Sequence, residues 1–129
     1  MDRTALVGPD VDTGRKIIDT LDKAGRPIDV AMWAHLPEFE DWRLVVASKK
    51  INQESLRAGY LDILGLLDRA GIDFKERLPI LLQGMKDPFI KELRRKYHKT
   101  GNGANEGLRI RGESFGNQYV DEAYVYRIR

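Results

Sequence analysis

The chain contains no cysteine. Disulfides and thiolate metal sites are therefore excluded, and the composition suits a reducing cytoplasm better than a small secreted scaffold. Histidine is scarce as well: there are two, His35 and His98, and they fall on different expected elements. A metal site would have to combine them with carboxylates such as Glu38, Glu40 or Asp41. No apolar run approaches the roughly 20 residues needed to cross a bilayer. The opening residues, from Met1 to Asp10, have neither the basic start nor the apolar run of a secretory signal, so the expectation is a cytoplasmic protein that does not engage a membrane. A strong charge of one sign is also lacking. The formal net charge is +2, too small by itself to argue for nucleic-acid binding.

What is present suits one ordinary domain, residues 1–129. Such a length can bury a core without staples, and 42% hydrophobic residues spread end to end with 33% charged residues exclude a disordered chain. The charge is unevenly placed. From Lys91 onward nine basic residues face five acidic ones, so the positive excess lies in the C-terminal part.

Hydrophobic periodicity gives the element order αββαβαββ. A first helix starts at Asp10 to Asp12, carries Val11, Ile17, Ile18, Leu21 and Ala24, and stops at Gly25 before Pro27. Ile28, Val30, Met32, Ala34 and Leu36 alternate with Asp29, Ala31, Trp33 and His35, the period of a strand with one apolar face. A turn follows, and Trp42 to Ala47 forms a second strand. Asn52 is the expected N-cap of a long helix whose core stripe is Leu56, Tyr60, Ile63, Leu64 and Leu67, ended by Gly71. Leu78 to Leu82 reads as a short buried strand, and Asp87-Pro88 starts a third helix. Leu108 to Ser114 and Gln118 to Ile128 are strands joined around Gly116-Asn117. The fold expected is α+β, a single mixed or mostly antiparallel sheet of about five strands with three helices packed on it. Residues 100–107, rich in Gly and Asn, are a flexible connector within that domain.

The third helix carries the strongest functional hint. Lys91, Arg94, Arg95 and His98 share one face, opposite Phe89, Ile90, Leu93 and Tyr97, and Lys99 extends the run into the connector. A single-signed stripe attracts phosphate or acidic partners. The competing account is that cations in the last turns of a helix complement its macrodipole.

Several motifs fail on context. Gly101 to Gly107 approaches a dinucleotide fingerprint, but a helix precedes it and a strand follows, the reverse of what pyrophosphate binding requires. Gly8 to Lys16 resembles a phosphate-binding loop with the wrong spacing, no Lys at the required place and no Ser or Thr after it. Asp73-Phe74-Lys75 matches half of a metal-dependent nuclease motif, with Asp10 a poor other half. His98 could act as a general base in a metal-free nuclease beside Lys99 or an arginine, but no second acid or base is identifiable.

The C-terminal hairpin allows two registers. A two-residue loop sets Arg109 opposite Tyr124 and Arg111 opposite Glu122, making an Arg-Tyr platform able to stack bases and hold phosphates. A three-residue loop instead joins Tyr124 and Tyr126 to Leu108 and Ile110. Continuity of the apolar surface favours the second.

The strand Asp41-Trp42-Arg43-Leu44-Val45-Val46-Ala47-Ser48 and the terminus Tyr124-Val125-Tyr126-Arg127, with the overall pattern, resemble a family of small bacterial α+β proteins with no assigned activity. The resemblance implies a bacterial cytoplasmic origin and no site residues. The function expected from the residues is binding of nucleic acid or another acidic partner, such as an acidic protein, through Lys91, Arg94, Arg95, His98 and Lys99, assisted by Arg109 and Arg111, with no cofactor implied. The alternatives are a protein-interaction or homo-oligomerising module using Trp33, Trp42 and a sheet edge, and a small nuclease or toxin.

Overall fold

The computed structural model describes residues 8–50, 55–72, 79–97 and 106–129. The elements follow the expected order: α1 (Gly8–Lys23), β1 (Val30–His35), β2 (Arg43–Ala47), α2 (Leu56–Arg69), β3 (Ile80–Leu82), α3 (Pro88–Tyr97), β4 (Arg109–Phe115) and β5 (Gln118–Ile128). The strands form one sheet in the order β3-β2-β1-β5-β4. Among the described strands only β2 and β3 pair in parallel, and the helix α2 between them serves as the crossover that parallel neighbours require. The fold is α+β, as the periodicity indicates.

The sheet is apolar on both faces, so β1 lacks the single apolar face that its alternation suggests. β1 is central and its first five residues are all buried, a pattern that alternation alone cannot produce. On one side, Ile17 and Leu21 of α1 and Ile63 and Leu67 of α2 pack on Ala31, Trp33, Leu44, Val46 and Tyr126. On the other, Phe89, Ile90 and Leu93 of α3 pack on Met32, Ala34, Val45, Phe115 and Val125. Helix α1 comes close to the sheet at Gly14. A methyl group there would lie 2.7 Å from Trp33 Nε1 and 2.9 Å from Tyr126 Cζ.

Local signals explain the helix ends. The N-cap of α2 is Ser55, whose hydroxyl accepts from the Ala58 amide at 3.2 Å; Asn52 lies outside the described residues. Asp87 Oδ1 accepts from the Phe89 amide at 3.0 Å, and Pro88 takes the first helical position of α3, where its missing N–H costs nothing. α1 and α2 stop just before the turns containing Gly25 and Gly71, as expected. One part of the α2 stripe is corrected. Ile63 and Leu67 are buried, but Leu56 and Leu64 are 41% and 43% exposed, since the sheet touches an arc narrower than the helix's apolar surface.

Ion pairs fasten the end of α1 and the turn that follows it. Arg127 on β5 donates to Asp22 at 3.0 Å and to the Ile28 carbonyl at 3.0 Å, while Asp22 also accepts from the Ile28 amide. Arg26 meets Asp62 of α2 at 2.6 Å, and that hydrogen bond raises the arginine's pKa.

Candidate functional site

The hairpin adopts the two-residue turn. Phe115 pairs with Gln118 around Gly116-Asn117, Arg109 with Tyr124 and Arg111 with Glu122. Gly116 has φ +61° and Asn117 does not have a positive φ, the requirement of a type II′ turn with glycine in its first central position. The expected grouping of Tyr124 and Tyr126 with Leu108 and Ile110 is therefore overturned. Ile110 and Leu108 belong to the α3 side, whereas both tyrosines pack against the α1–α2 side. Apolar continuity does not decide the register here, because each face of this sheet has a core of its own.

The pleat slips by one residue in the middle of the hairpin. Ile110 and Ala123 face α3, and so do Val120 and Glu113, whose carboxylate accepts from Tyr97 at 3.3 Å. Three positions, not two, separate the members of each pair. Arg111 and Gly112 on one strand, and Asp121 and Glu122 on the other, thus point consecutively to the opposite side. Gly112 makes this possible with φ +56°, a conformation that a side chain would strain.

Among the described residues, nothing covers that opposite side beyond α1. Arg109, Arg111, Ser114, Tyr119 and Asp121 are all exposed there. The Arg109 guanidinium lies 5.1 Å from the centre of the Tyr124 ring, and Tyr124 meets Tyr126 edge to face at 5.3 Å. Tyr126 is anchored beneath them: its hydroxyl donates to the Val11 carbonyl and accepts from Trp33 Nε1 at 3.1 Å. Burial pushes its phenol up to about 12. Arg15 completes the row, 5.4 Å from the Tyr126 ring and paired with Glu106. The nearby acids are engaged too, Glu122 by Arg111 at 3.4 Å and Asp121 by His35 Nδ1 at 3.2 Å. Among the described residues, Arg109 meets no carboxylate within salt-bridge distance.

The seven expected binding residues do not form one surface. Lys91, Arg94 and Arg95 belong to α3, which packs on the other side of the sheet from Arg109 and Arg111. His98 and Lys99 lie outside the described residues, with most of the 100–107 connector. Local partners also occupy part of the α3 charge. Arg95 pairs with Glu92, the neighbouring Lys96 pairs with Glu113, and Arg94 Nε donates to the main-chain oxygen of Arg129 at 2.6 Å.

The rival interaction surface fares differently from its expectation. Trp33 and Trp42 are 5% and 8% exposed and belong to the α1–α2 core. At the β3 edge, the Tyr60 hydroxyl donates to the Ile80 carbonyl at 3.2 Å and accepts from the Leu82 amide at 2.7 Å, filling the outward groups that a further strand would use. At the β4 edge, Gly112 interrupts the regular extended conformation. Among the described residues no group of three metal-ligating side chains occurs, and Asp73 and Lys75 lie outside them.

Sequence reasoning missed Gly14, Arg15 and Tyr119. In the sequence Gly14 is a glycine inside a helix and part of the rejected phosphate-loop pattern; its reason is the close approach to Trp33 and Tyr126. Arg15 reaches the platform through a contact more than a hundred positions away. Tyr119 sits beyond the pleat slip, which strict alternation does not anticipate. Comparison of the chain with family models, with curated proteins and with solved structures found no match.

Proposed function

We propose that the protein binds single-stranded nucleic acid on the exposed face of the β4–β5 hairpin, through Arg109, Arg111 and Tyr124. The observation that carries this reading is the Arg109 guanidinium held over the Tyr124 ring on an open sheet face. Guanidinium and aromatic planes are the surfaces on which unstacked bases lie, and a sheet presents them side by side. Arg111, 77% exposed, is only loosely held by Glu122 and can turn to a phosphate. A double helix keeps its base faces stacked inside, so single strands are the favoured form. The α3 cations, on the far side of the sheet, would add long-range attraction without touching the same bases.

The arginine count sets the salt dependence. Two phosphate contacts on a single strand give a slope of log affinity against log salt of about −1.4, at roughly −0.7 per contact. Binding of fluorescent oligo(U) and oligo(dT) at several salt concentrations tests this. Arg109→Ala with Arg111→Ala should abolish most binding and flatten the slope, while Arg94→Ala with Arg95→Ala should leave much of the affinity. A parent protein that binds neither oligonucleotide at low salt, or a loss confined to the α3 variant, refutes the reading.

A further inference from the structure

The same open face carries a second aromatic ring. Tyr119 is 45% exposed. Its neighbour Val120 faces α3, so Tyr119 points to the side shared by Arg109, Arg111 and Tyr124. Its hydroxyl lies over Gly112, where even a methyl group would come within 3.1 Å; the absent side chain leaves the phenol room to lie along the sheet. The pleat slip is what brings it there. With strict alternation from Tyr124, position 119 would face α3 instead.

Resting on the reading above, we propose that Tyr119 is a second base-stacking position, and that the platform binds a single-stranded segment of about five nucleotides running from Tyr124 to Tyr119. Five strand positions separate the two tyrosines, about 16 Å at the usual rise per residue. A stacked nucleotide advances about 3.4 Å, so up to about five stacked nucleotides, or fewer extended ones, cover that length of strand. Charge is placed to match. Arg109 lies beside the first ring and Arg111 lies between the two, whereas Asp121 is held by His35 and Glu122 by Arg111. Along Tyr124, Arg109, Arg111 and Tyr119 a single strand meets aromatic, cation, cation and aromatic, with the Asp121 carboxylate, 42% exposed, on the same face between the rings. An acidic peptide would use the arginines but would gain nothing from two flat rings at this separation.

A length series tests it. Oligo(U) and oligo(dT) of two to eight nucleotides are measured by fluorescence anisotropy against the parent, Tyr119→Ala, Tyr119→Phe and Arg109→Ala. Parental affinity should rise with length and level off near five nucleotides. Tyr119→Ala should weaken five-nucleotide binding about ten-fold, within the span of a lost base stack, and should leave two-nucleotide binding unchanged; Tyr119→Phe should bind as the parent does. Circular dichroism and thermal midpoints confirm that the exposed substitution leaves the fold intact. If Tyr119→Ala binds five nucleotides as tightly as the parent while Arg109→Ala loses binding, the second position is refuted and the platform reading stands. If the parent binds no single strand at any length, both fall together.

Discussion

Replacing Gly14 by alanine should destabilise the protein by about 1 to 5 kcal/mol, although in an ordinary helix interior the same change stabilises. Alanine gains about 1 kcal/mol over glycine from backbone propensity. Against this stands the position of the new methyl group, 2.7 Å from Trp33 Nε1 and 2.9 Å from Tyr126 Cζ. Neither ring can step aside easily. Trp33 is 5% exposed and Tyr126 is 5% exposed, and they share a hydrogen bond. Overpacking a filled core costs about 1 to 3 kcal/mol. If Tyr126 moves, its hydroxyl loses Val11 or Trp33, adding about 1 to 3 kcal/mol for a buried polar group left unpaired. Gly65 supplies the internal control. It lies on α2, where an added methyl would meet only the tip of the Arg69 side chain at 3.8 Å, so Gly65→Ala should raise stability by up to about 1 kcal/mol. Chemical denaturation followed by tryptophan fluorescence measures both, since both tryptophans are buried. An unchanged or increased midpoint for Gly14→Ala, with Gly65→Ala behaving as expected, would refute the close approach of α1 to the sheet.

Other expectations follow from the same packing. Leu67→Ala should cost about 2 to 5 kcal/mol and Leu64→Ala less than about 1, because Leu67 is 1% exposed and Leu64 43%; equal thermal shifts would refute the assigned orientation of α2. Tyr60→Phe should cost about 1 to 3 kcal/mol by leaving the Ile80 carbonyl and the Leu82 amide without the hydroxyl at the β3 edge, and an unaltered denaturation midpoint would mean that water replaces it without loss. Tyr126 should make the fold alkali-sensitive. Its phenol is raised from 10.0 to about 12 by burial, so its stabilising contribution is complete below pH 10 and is lost as the pH climbs toward 12. Tyr126→Phe should flatten that fall in stability across pH 10 to 12, and an identical pH profile would rule the group out.

How much of this architecture could be read in advance depended on the range of the interaction concerned. Element order, the Pro88 start of α3 and the glycines after α1 and α2 follow from signals within a few residues, and the amphipathic spacing of Phe89, Ile90 and Leu93 already specified which side of α3 is buried. The two-sided core was harder to see, because Ala31 and Ala34 are small enough to serve either face and the alternation of β1 looks half polar only through Asp29 and His35. The platform was legible in its parts: Arg109, Arg111 and the two tyrosines were recognised, and the two-residue turn that unites Arg109 with Tyr124 was one of two registers weighed. Choosing between them needed the knowledge that α3 covers Ile110 on one side while α1 and α2 claim Tyr126 on the other, information carried by contacts across most of the chain. Gly112 had a local meaning that strict alternation concealed. A glycine inside an exposed strand often marks a bulge, and here Gly112, with φ +56°, sits between the pairs that flank the slip; on β5 the same slip at Asp121 and Glu122 brings Tyr119 onto the face with Tyr124, and so decides whether the hairpin presents one aromatic ring or two.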